Sequence, residues 1–370
     1  MSKQVPIEIS EAQALSFRLR RCHLAGPGAE SLTEAARSIV GAQAQQEVPA
    51  LYGMSLRTAT RPSALAVKAA LSEPGARRLV RTWGQRDTLH LYDPADWAMI
   101  VAAQSKWPQT GRRGAIPTDE ELEAAHQAFV EAGRPLLRTD LYNVLTPRLV
   151  EEAREHPGSQ GNAERFAASR LIWVLAQRGD LCVGDKRGSE NEYAARELWF
   201  PKLDWQLPDA DEAATALVGR YLSSFAPATA ADIAHFYGAR VTEVRGWLAG
   251  LQSELVDVRC AGRKGLLALA KDADALRLPA DQESVRLLPM FDGQLMTHKD
   301  KSWIMPLEAE RPLVWRKAAM LAPSVLVGGR IVATWSTKVA AKLLTLSIEP
   351  LSGWRAEHLQ GVEAEARAFA

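Results

Sequence analysis

The chain has 370 residues, 47% hydrophobic and 24% charged, enough apolar surface to exclude a wholly disordered polypeptide and enough length for two or three domains or a repeated array. Its 45 Lys and Arg against 44 Asp and Glu leave a net charge of +1, so any nucleic-acid partner must meet basic side chains gathered on one face rather than a generally basic molecule. Three distant cysteines, Cys22, Cys182 and Cys260, form no CxxC pair, which argues against a disulfide framework or a cysteine zinc site and for reduced thiols in a cytoplasmic protein.

The first block of predicted elements runs to about residue 104. Apolar residues recur at helical spacing over Glu11–Arg21. Ser31-Leu32-Thr33-Glu34 reads as a capping box in front of a helix carrying Ile39 and Val40, and a further helix is expected over Ala64–Leu71 between Pro62 and Pro74. The period then changes: Leu79–Tyr92 alternates on both sides of Gly84-Gln85-Arg86-Asp87 and predicts a β-hairpin. Helices followed by a hairpin describe a winged helix.

The second block, 105–207, repeats this order. Thr118-Asp119-Glu120-Glu121 is a capping box, Thr139 opens a short helix, Ala163–Gln177 is amphipathic, and Asp180–Trp199 predicts a hairpin with its tip at 184–188. In the third block, 208–278, helices are expected over Glu212–Ser223, Thr229–Tyr237 and Thr242–Leu251, then a hairpin over Leu255–Leu269 turning at 262–265. From 279 to 370 the texture becomes β, with short strands expected at Val285–Phe291, Gln294–Lys299, Ser302–Met305, Ser324–Val327 and Arg330–Trp335, before a closing helix over Trp354–Phe369. The expected fold class is therefore α+β and mainly helical: three tandem winged-helix motifs and a small C-terminal β-sheet or barrel. The repeat rests on element order, not residue identity.

No signal-peptide core opens the chain, and no apolar run is long enough to span a membrane. No phosphate-loop, HExxH, GxSxG or strand-borne GxGxxG motif occurs, and the seven histidines are scattered, so a nucleotide cofactor or a metal is not expected. The most unusual local feature is Gly41-Ala42-Gln43-Ala44-Gln45-Gln46. In a helix Gln43 and Gln45 point to different sides; at a helix end or in an extended turn they converge. A glutamine is no general base, but its carbonyl and amide hold a water or a sugar oxygen. The plainer role for both is that of exposed helix polars.

Basic residues recur at hairpin tips and in loops: Arg86, Lys186 with Arg187, Arg263 with Lys264, Lys299 with Lys301, and Arg112 with Arg113. Such positions suit phosphate contacts, although turns are solvated and collect Lys and Arg for that reason alone. His298, beside Lys299, is a phosphate candidate, whereas His90, on an expected strand, reads as a hydrogen-bonded structural histidine. Trp83, Trp173, Trp247 and Trp335 fall on apolar faces and are expected in the core.

The segments GAQAQQEVPALYGMSLRT (41–58), LVRTWGQRDTLHLYDPADW (79–97), LLPMFDGQLMTHKDKSWIM (287–305) and SVLVGGRIVATW (324–335) resemble the AlkZ-type, azinomycin-resistance winged-helix DNA glycosylases, and more distantly the YcaQ (AlkX) branch, over nearly the whole chain. Gln43-Ala44-Gln45 fits the AlkZ Q-apolar-Q motif; the YcaQ branch has Asp at the second glutamine. The resemblance implies three winged helices in a C-shape around DNA, with catalysis by Gln43 and Gln45 and DNA contacts drawn from Arg86, Lys186, Arg187, His298, Lys299, Lys301 and Arg330. It implies a monofunctional glycosylase, without lyase activity or cofactor, that acts as a monomer on double-stranded DNA carrying N7-alkylated purines, interstrand crosslinks included. The alternatives are a non-catalytic DNA-binding regulator or lesion-shielding protein, and a protein–protein scaffold. One departure stands out: Asp87 occupies a position where relatives often carry glycine.

Overall fold

The computed structural model describes residues 5–107, 116–159, 161–341 and 343–369; Arg112 and Arg113 lie outside them. The chain forms two compact units, one made of residues 1–67 with 215–370 and the other of residues 68–214.

The first unit begins with the strand Ile7–Glu8, which pairs in parallel with Val258 and Arg259 of the hairpin Leu255–Cys260/Arg263–Leu269. This brings the N-terminal helix Glu11–Arg21 to the last third of the chain. Ser10 caps that helix through a reciprocal box with Gln13, so its free amides are satisfied by two side chains. Arg18, fully buried on its inner side, donates from Nη2 to the Pro227 carbonyl (2.7 Å) and stacks on Trp303 at 4.2 Å. The capping box expected at Ser31 forms by half. Ser31 Oγ accepts from the Glu34 amide, but the Glu34 carboxylate takes the Glu30 N–H at 2.7 Å instead. The helix behind it, Leu32–Ser38, stops before Ile39 and Val40; Val40 has φ 54°, outside helical space.

The helix Glu47–Arg57 has no counterpart among the expected elements, because Pro49 and Gly53 break its pattern. Pro49 lies in the first turn, where a missing N–H costs nothing. Its last residue, Arg57, is fully buried and binds Asp292 with two parallel bonds, Nη1–Oδ2 and Nη2–Oδ1, both 2.8 Å. Nη1 also donates to the Gly53 carbonyl at 2.9 Å. Burial opposes the charge on Arg57, but Asp292 outweighs it and holds the guanidinium above its ordinary pKa. Asp292 in turn caps the helical turn Gly293–Met296 by accepting from the Gln294 amide.

That cap corrects two expectations. Residues 294–299 and 302–305 alternate like strands, yet Gly293–Met296 is a helical turn and Lys301–Trp303 a 3-10 turn capped by Asp300. In each case a side-chain oxygen satisfies the first amides locally, leaving none for a ladder. The remaining C-terminal strands form an open antiparallel sheet, not a barrel, in the order Val285–Leu288, Ser324–Val327, Arg330–Ala340, Leu343–Pro350. The last strand and the outer half of Arg330–Ala340 are not among the expected strands, although Leu344, Leu346 and Ile348 alternate with Thr345, Ser347 and Glu349 in the last of them. Leu346 and Ile348 pack against the core of this sheet, while the other residues of Leu343–Pro350 and those of 336–340 are exposed. The closing helix, His358–Phe369, is shorter than expected.

In the second unit, helices Asp119–Ala132 and Ala163–Arg178 enclose a core of Leu122, Phe129, Leu141, Leu149, Leu171 and Leu175. The Thr118–Glu121 capping box is complete. Two hairpins lie side by side, Val80–Trp83/Leu89–Tyr92 and Leu181–Arg187/Glu190–Ala195, joined where Arg81 pairs with Val183. The second hairpin turns at Gly188, four residues beyond Gly184, which is a buried strand residue. Among the described residues before 279, helices followed by a hairpin occur three times. Cys22, Cys182 and Cys260 are buried and unbridged; burial pushes the Cys22 thiol up to about 12. Among the described residues no helix is long and apolar enough to cross a membrane.

Arg57→Ala or Asp292→Ala strands a buried charge and is expected to cost about 3–5 kcal/mol, read from urea unfolding. The double variant Arg57→Met/Asp292→Leu, which removes both charges and keeps their volume, should lose less than either single variant.

Candidate functional site

In the first unit, the glutamine motif lies between a two-residue strand, Ala42–Gln43, and the helix that opens at Glu47. Ala42 is 7% exposed and Ala44 not at all, whereas Gln43 is half-buried and Gln45 exposed. Gln43 ends the short strand and Gln45 lies in the bend before the helix, so neither glutamine is on a helix. Gly41 precedes the pair with φ 91°, a value that disfavours any side chain. Glu47, half-buried, supplies a carboxylate two residues beyond Gln45. Nothing in the sequence singles it out, and the helix whose first turn it occupies is not among the expected elements.

The anchor of this segment is the Arg57–Asp292 pair at the other end of the same helix. No local signal could have revealed it, since the partners stand 235 positions apart. It ties the resemblance segment 41–58 to the segment 287–305.

The basic candidates fall into different settings. Lys186 and Arg187 are exposed on the second hairpin, with Arg187 paired to Glu192. Lys299 is exposed, its backbone amide held by Asp232 at 2.9 Å. Lys301 is turned onto the protein: its ammonium donates to the Leu295 carbonyl at 3.1 Å and to the His298 carbonyl at 2.5 Å. Arg330 forms an ion pair with Glu11 at 2.9 Å, and Glu11 also holds Arg263 at 2.8 Å. Glu11 is partly desolvated, but these two guanidiniums keep its carboxyl below the usual range.

His298 departs furthest from expectation. It is 5% exposed, with Nδ1 2.9 Å from Thr297 Oγ1 and Nε2 3.4 Å from the Pro227 carbonyl. Burial, with Arg18 nearby, drives its pKa well below the ordinary value. A neutral, enclosed ring has no role as a phosphate contact. Sequence position misleads here because the neighbouring Lys299 is exposed while the chain turns inward one residue earlier.

In the second unit, Arg86 and Asp87 are consecutive residues of the turn Gln85–Asp87 that closes the first hairpin, with φ 60° and 54°. Both angles lie in the left-handed region, where tight hairpin turns favour Asn, Asp and Gly. A glycine meets no steric penalty at such an angle, and an aspartate is among the more tolerant residues there. Arg86 is half-buried, and desolvation lowers its guanidinium pKa to about 10, opposed by Tyr92. His90 is buried beneath, 2.9 Å from the Thr88 carbonyl, and burial followed by the Arg86 charge lowers its pKa to about 3. The structural role expected for His90 matches this setting. Among the described residues, no cluster of three His, Cys, Asp or Glu is arranged to hold a metal.

The comparisons with known proteins agree with one another. The family model described as DNA glycosylase AlkZ-like matches residues 36–370. An interstrand DNA cross-link repair glycosylase from Streptomyces sahachiroi is 27% identical over 339 residues, 89% of this chain and 88% of the relative. The solved structure of the Streptomyces sahachiroi DNA glycosylase AlkZ superposes with a TM-score of 0.78 at 25% identity, covering 98% of this chain and 96% of that one.

His90 sits neutral in the fold with a pKa of about 3 but titrates near 6.5 when unfolded. Below 6.5 the unfolded state binds the extra proton, so the stability present above that pH falls as pH drops towards 3, by up to about 1.4 kcal/mol per pH unit for one such group. Thermal unfolding between pH 4 and 7 should show this fall, and His90→Gln should flatten it. A slope unchanged by the substitution would remove His90 as its source.

Proposed function

The chain belongs to the AlkZ-like DNA glycosylase family, and from that premise we propose that it is a monofunctional glycosylase releasing N7-alkylated guanines from double-stranded DNA, azinomycin-type interstrand crosslinks among them. In this reading Gln43 and Gln45 position the attacking water, and each of the three helix–hairpin repeats is a winged helix.

The chemistry begins with the lesion. Alkylation at N7 gives the purine a positive charge, so when the C1′–N9 bond breaks the electron pair returns to N9 and a neutral base leaves. The sugar becomes oxocarbenium-like, as in other glycosidic cleavages. Water then adds at C1′ and loses its proton to solvent. Nothing in this sequence of steps demands a strong base, because the leaving group is already activated. What it demands is a water fixed on the correct face and partial negative charge near the cationic sugar. Two amide carbonyls supply both, and the amide N–H groups fix their orientation.

The observation that supports this reading is that Gln45 is exposed and Gln43 half-buried on either side of the fully buried Ala44. A buried alanine and a helix start hold the pair, and the exposed Gln45 is open to a large substrate. Selectivity for cationic lesions follows, since neutral amides give no help to the departure of an unactivated base. Lys186, Arg187 and Lys299 are the exposed cations best suited to phosphate contact.

Gln45→Ala and Gln43→Ala are expected to lower single-turnover release of N7-alkylguanine by about 10²–10³-fold, the loss typical of one charge-stabilising donor or acceptor. Duplex binding should survive in both. Wild-type release rates in both variants would overturn the assignment, and a wild-type protein that binds lesion DNA without producing abasic sites would mark a shielding protein instead.

Replacing Lys186, Arg187 and Lys299 together by Ala should reduce the log–log salt slope of duplex binding by roughly 0.9 for each phosphate that is no longer neutralised. An unaltered slope would exclude all three from the DNA-facing surface.

A further inference from the structure

The second unit contains a cavity of about 410 Å³, where the chain enters the helix Ala163–Arg178. Its lining holds two guanidiniums, from Arg138 and Arg165, the amide of Asn162 and the hydroxyls of Ser159 and Ser169, with no carboxylate. The volume falls in the range of ligand clefts, but a site for an uncharged organic ligand is mostly apolar. A cavity walled by cations and hydrogen-bond donors is suited to an anion.

Local contacts hold the lining in place. Phe166 stacks on His156, with ring centroids 4.6 Å apart and planes 20° from parallel. His156 Nδ1 accepts the Gly158 N–H at 3.0 Å. A Cβ at position 158 would stand 2.9 Å from His156 Nδ1 and 3.2 Å from the Phe166 ring, so only glycine lets the chain pass this stack without a shift. Arg138 donates from Nη1 to Ser169 Oγ at 3.1 Å, and that hydroxyl donates to the Arg165 carbonyl one helical turn earlier at 2.7 Å. Asn162 caps the helix by accepting the Arg165 N–H at 2.9 Å. The helix end is thereby satisfied, and the NH2 group of the Asn162 amide is left as a donor.

Arg165 breaks a local rule. It stands in the first turn of a 16-residue helix, where the macrodipole favours acids and opposes cations. The residue is exposed, and among the described residues its guanidinium has no hydrogen-bond or ion-pair partner. The fold gains nothing from this charge, and such uncompensated departures are expected at functional positions. Arg138 has an acidic neighbour, Glu190, but their closest atoms are 3.6 Å apart, beyond hydrogen-bond length.

The cavity adjoins the tip of the second hairpin. Glu190, which faces Arg138, pairs in register with Arg187 across that tip. Arg187 Nη1 in turn lies 3.9 Å from Asp140, two residues along the chain from Arg138. Arg165, Arg138, Arg187 and the exposed Lys186 therefore follow one another along this unit.

We propose that this cavity is a phosphate-binding site, in which Arg138 and Arg165 hold the oxygens of one phosphate group and Asn162 and Ser159 complete its hydrogen bonds. Guanidinium forks match phosphate oxygens, and a tetrahedral group accepts donors converging from several sides, whereas a carboxylate presents two oxygens in one plane. Two sources carry this group: a backbone phosphodiester of a DNA strand that continues from the hairpin tip, and a free phosphorylated ligand. The site is independent of Gln43 and Gln45, which belong to the other unit.

The test uses the full chain with Arg165→Ala, Ser159→Asp, which puts a carboxylate into the cavity, and Arg154→Ala, which removes an exposed guanidinium elsewhere on the same unit. One readout is the salt dependence of binding to an undamaged duplex. The other is Tm in sodium phosphate against sodium chloride of equal ionic strength. If the phosphate belongs to DNA, Arg165→Ala and Ser159→Asp each lower the log–log salt slope by roughly 0.9, and Arg154→Ala does not. If it belongs to a free ligand, phosphate raises the wild-type Tm by about 2 °C more than it raises that of either cavity variant, and the slope stays put. In chloride, Arg165→Ala should keep or raise the wild-type Tm, because the lost cation opposed the dipole, so unfolding would not imitate either result. Neither change, or an equal effect from Arg154→Ala, would overturn the site. Loss of the catalytic assignment to the two glutamines would leave both readouts as they are.

Discussion

A buried arginine–aspartate pair holds the first unit together. Removing a guanidinium and a carboxylate from water costs several kcal/mol per ion, and Arg57 and Asp292 offset this with two parallel bonds of 2.8 Å and a third to the Gly53 carbonyl. Charge-assisted, bidentate bonds of this kind are directional as well as strong. They fix the end of the helix Glu47–Arg57 against the turn that begins at Pro289. The other end of that helix leads back to the glutamine segment.

The same pair organises its surroundings. Asp292 uses its other lone-pair capacity to cap Gln294, which turns the following residues into a helical turn and folds His298 inward. Lys301 then closes over this region by donating to the Leu295 carbonyl of the turn and to the His298 carbonyl beyond it. Residues that look like a basic loop in the sequence thus become the packed lining of a polar cap, and the cationic candidates separate into exposed ones, such as Lys299, and ones used by the fold, such as Lys301 and Arg330. A count of Lys and Arg cannot make that distinction, because the long stems of both residues let the charge return to the protein surface.

In the second unit, a short turn with two consecutive residues at positive φ sets the hairpin that carries Arg86. The fold accepts aspartate at position 87 with some conformational strain, and keeps a neutral histidine and a partly desolvated guanidinium beneath and within the same hairpin. Reactive or ligand-binding sites commonly concentrate such features, though structural networks do so too.

Much was decided by the sequence alone. The alternation around Gly84–Asp87, the capping residue Thr118 and the helical period over Ala163–Gln177 specify the first two hairpin blocks and their helices, because caps, turns and amphipathic faces are local properties. The order helices-then-hairpin and the Q-apolar-Q segment were legible for the same reason. Tertiary structure decided the rest. Residues 294–305 alternate like strands but are capped into turns by Asp292 and Asp300, and Arg57 finds its partner 235 positions away. Which lysines reach solvent, and that Gln43 and Gln45 keep surface exposure on either side of a buried alanine, depend on which neighbours fill the interior, and no local pattern of residues encodes that.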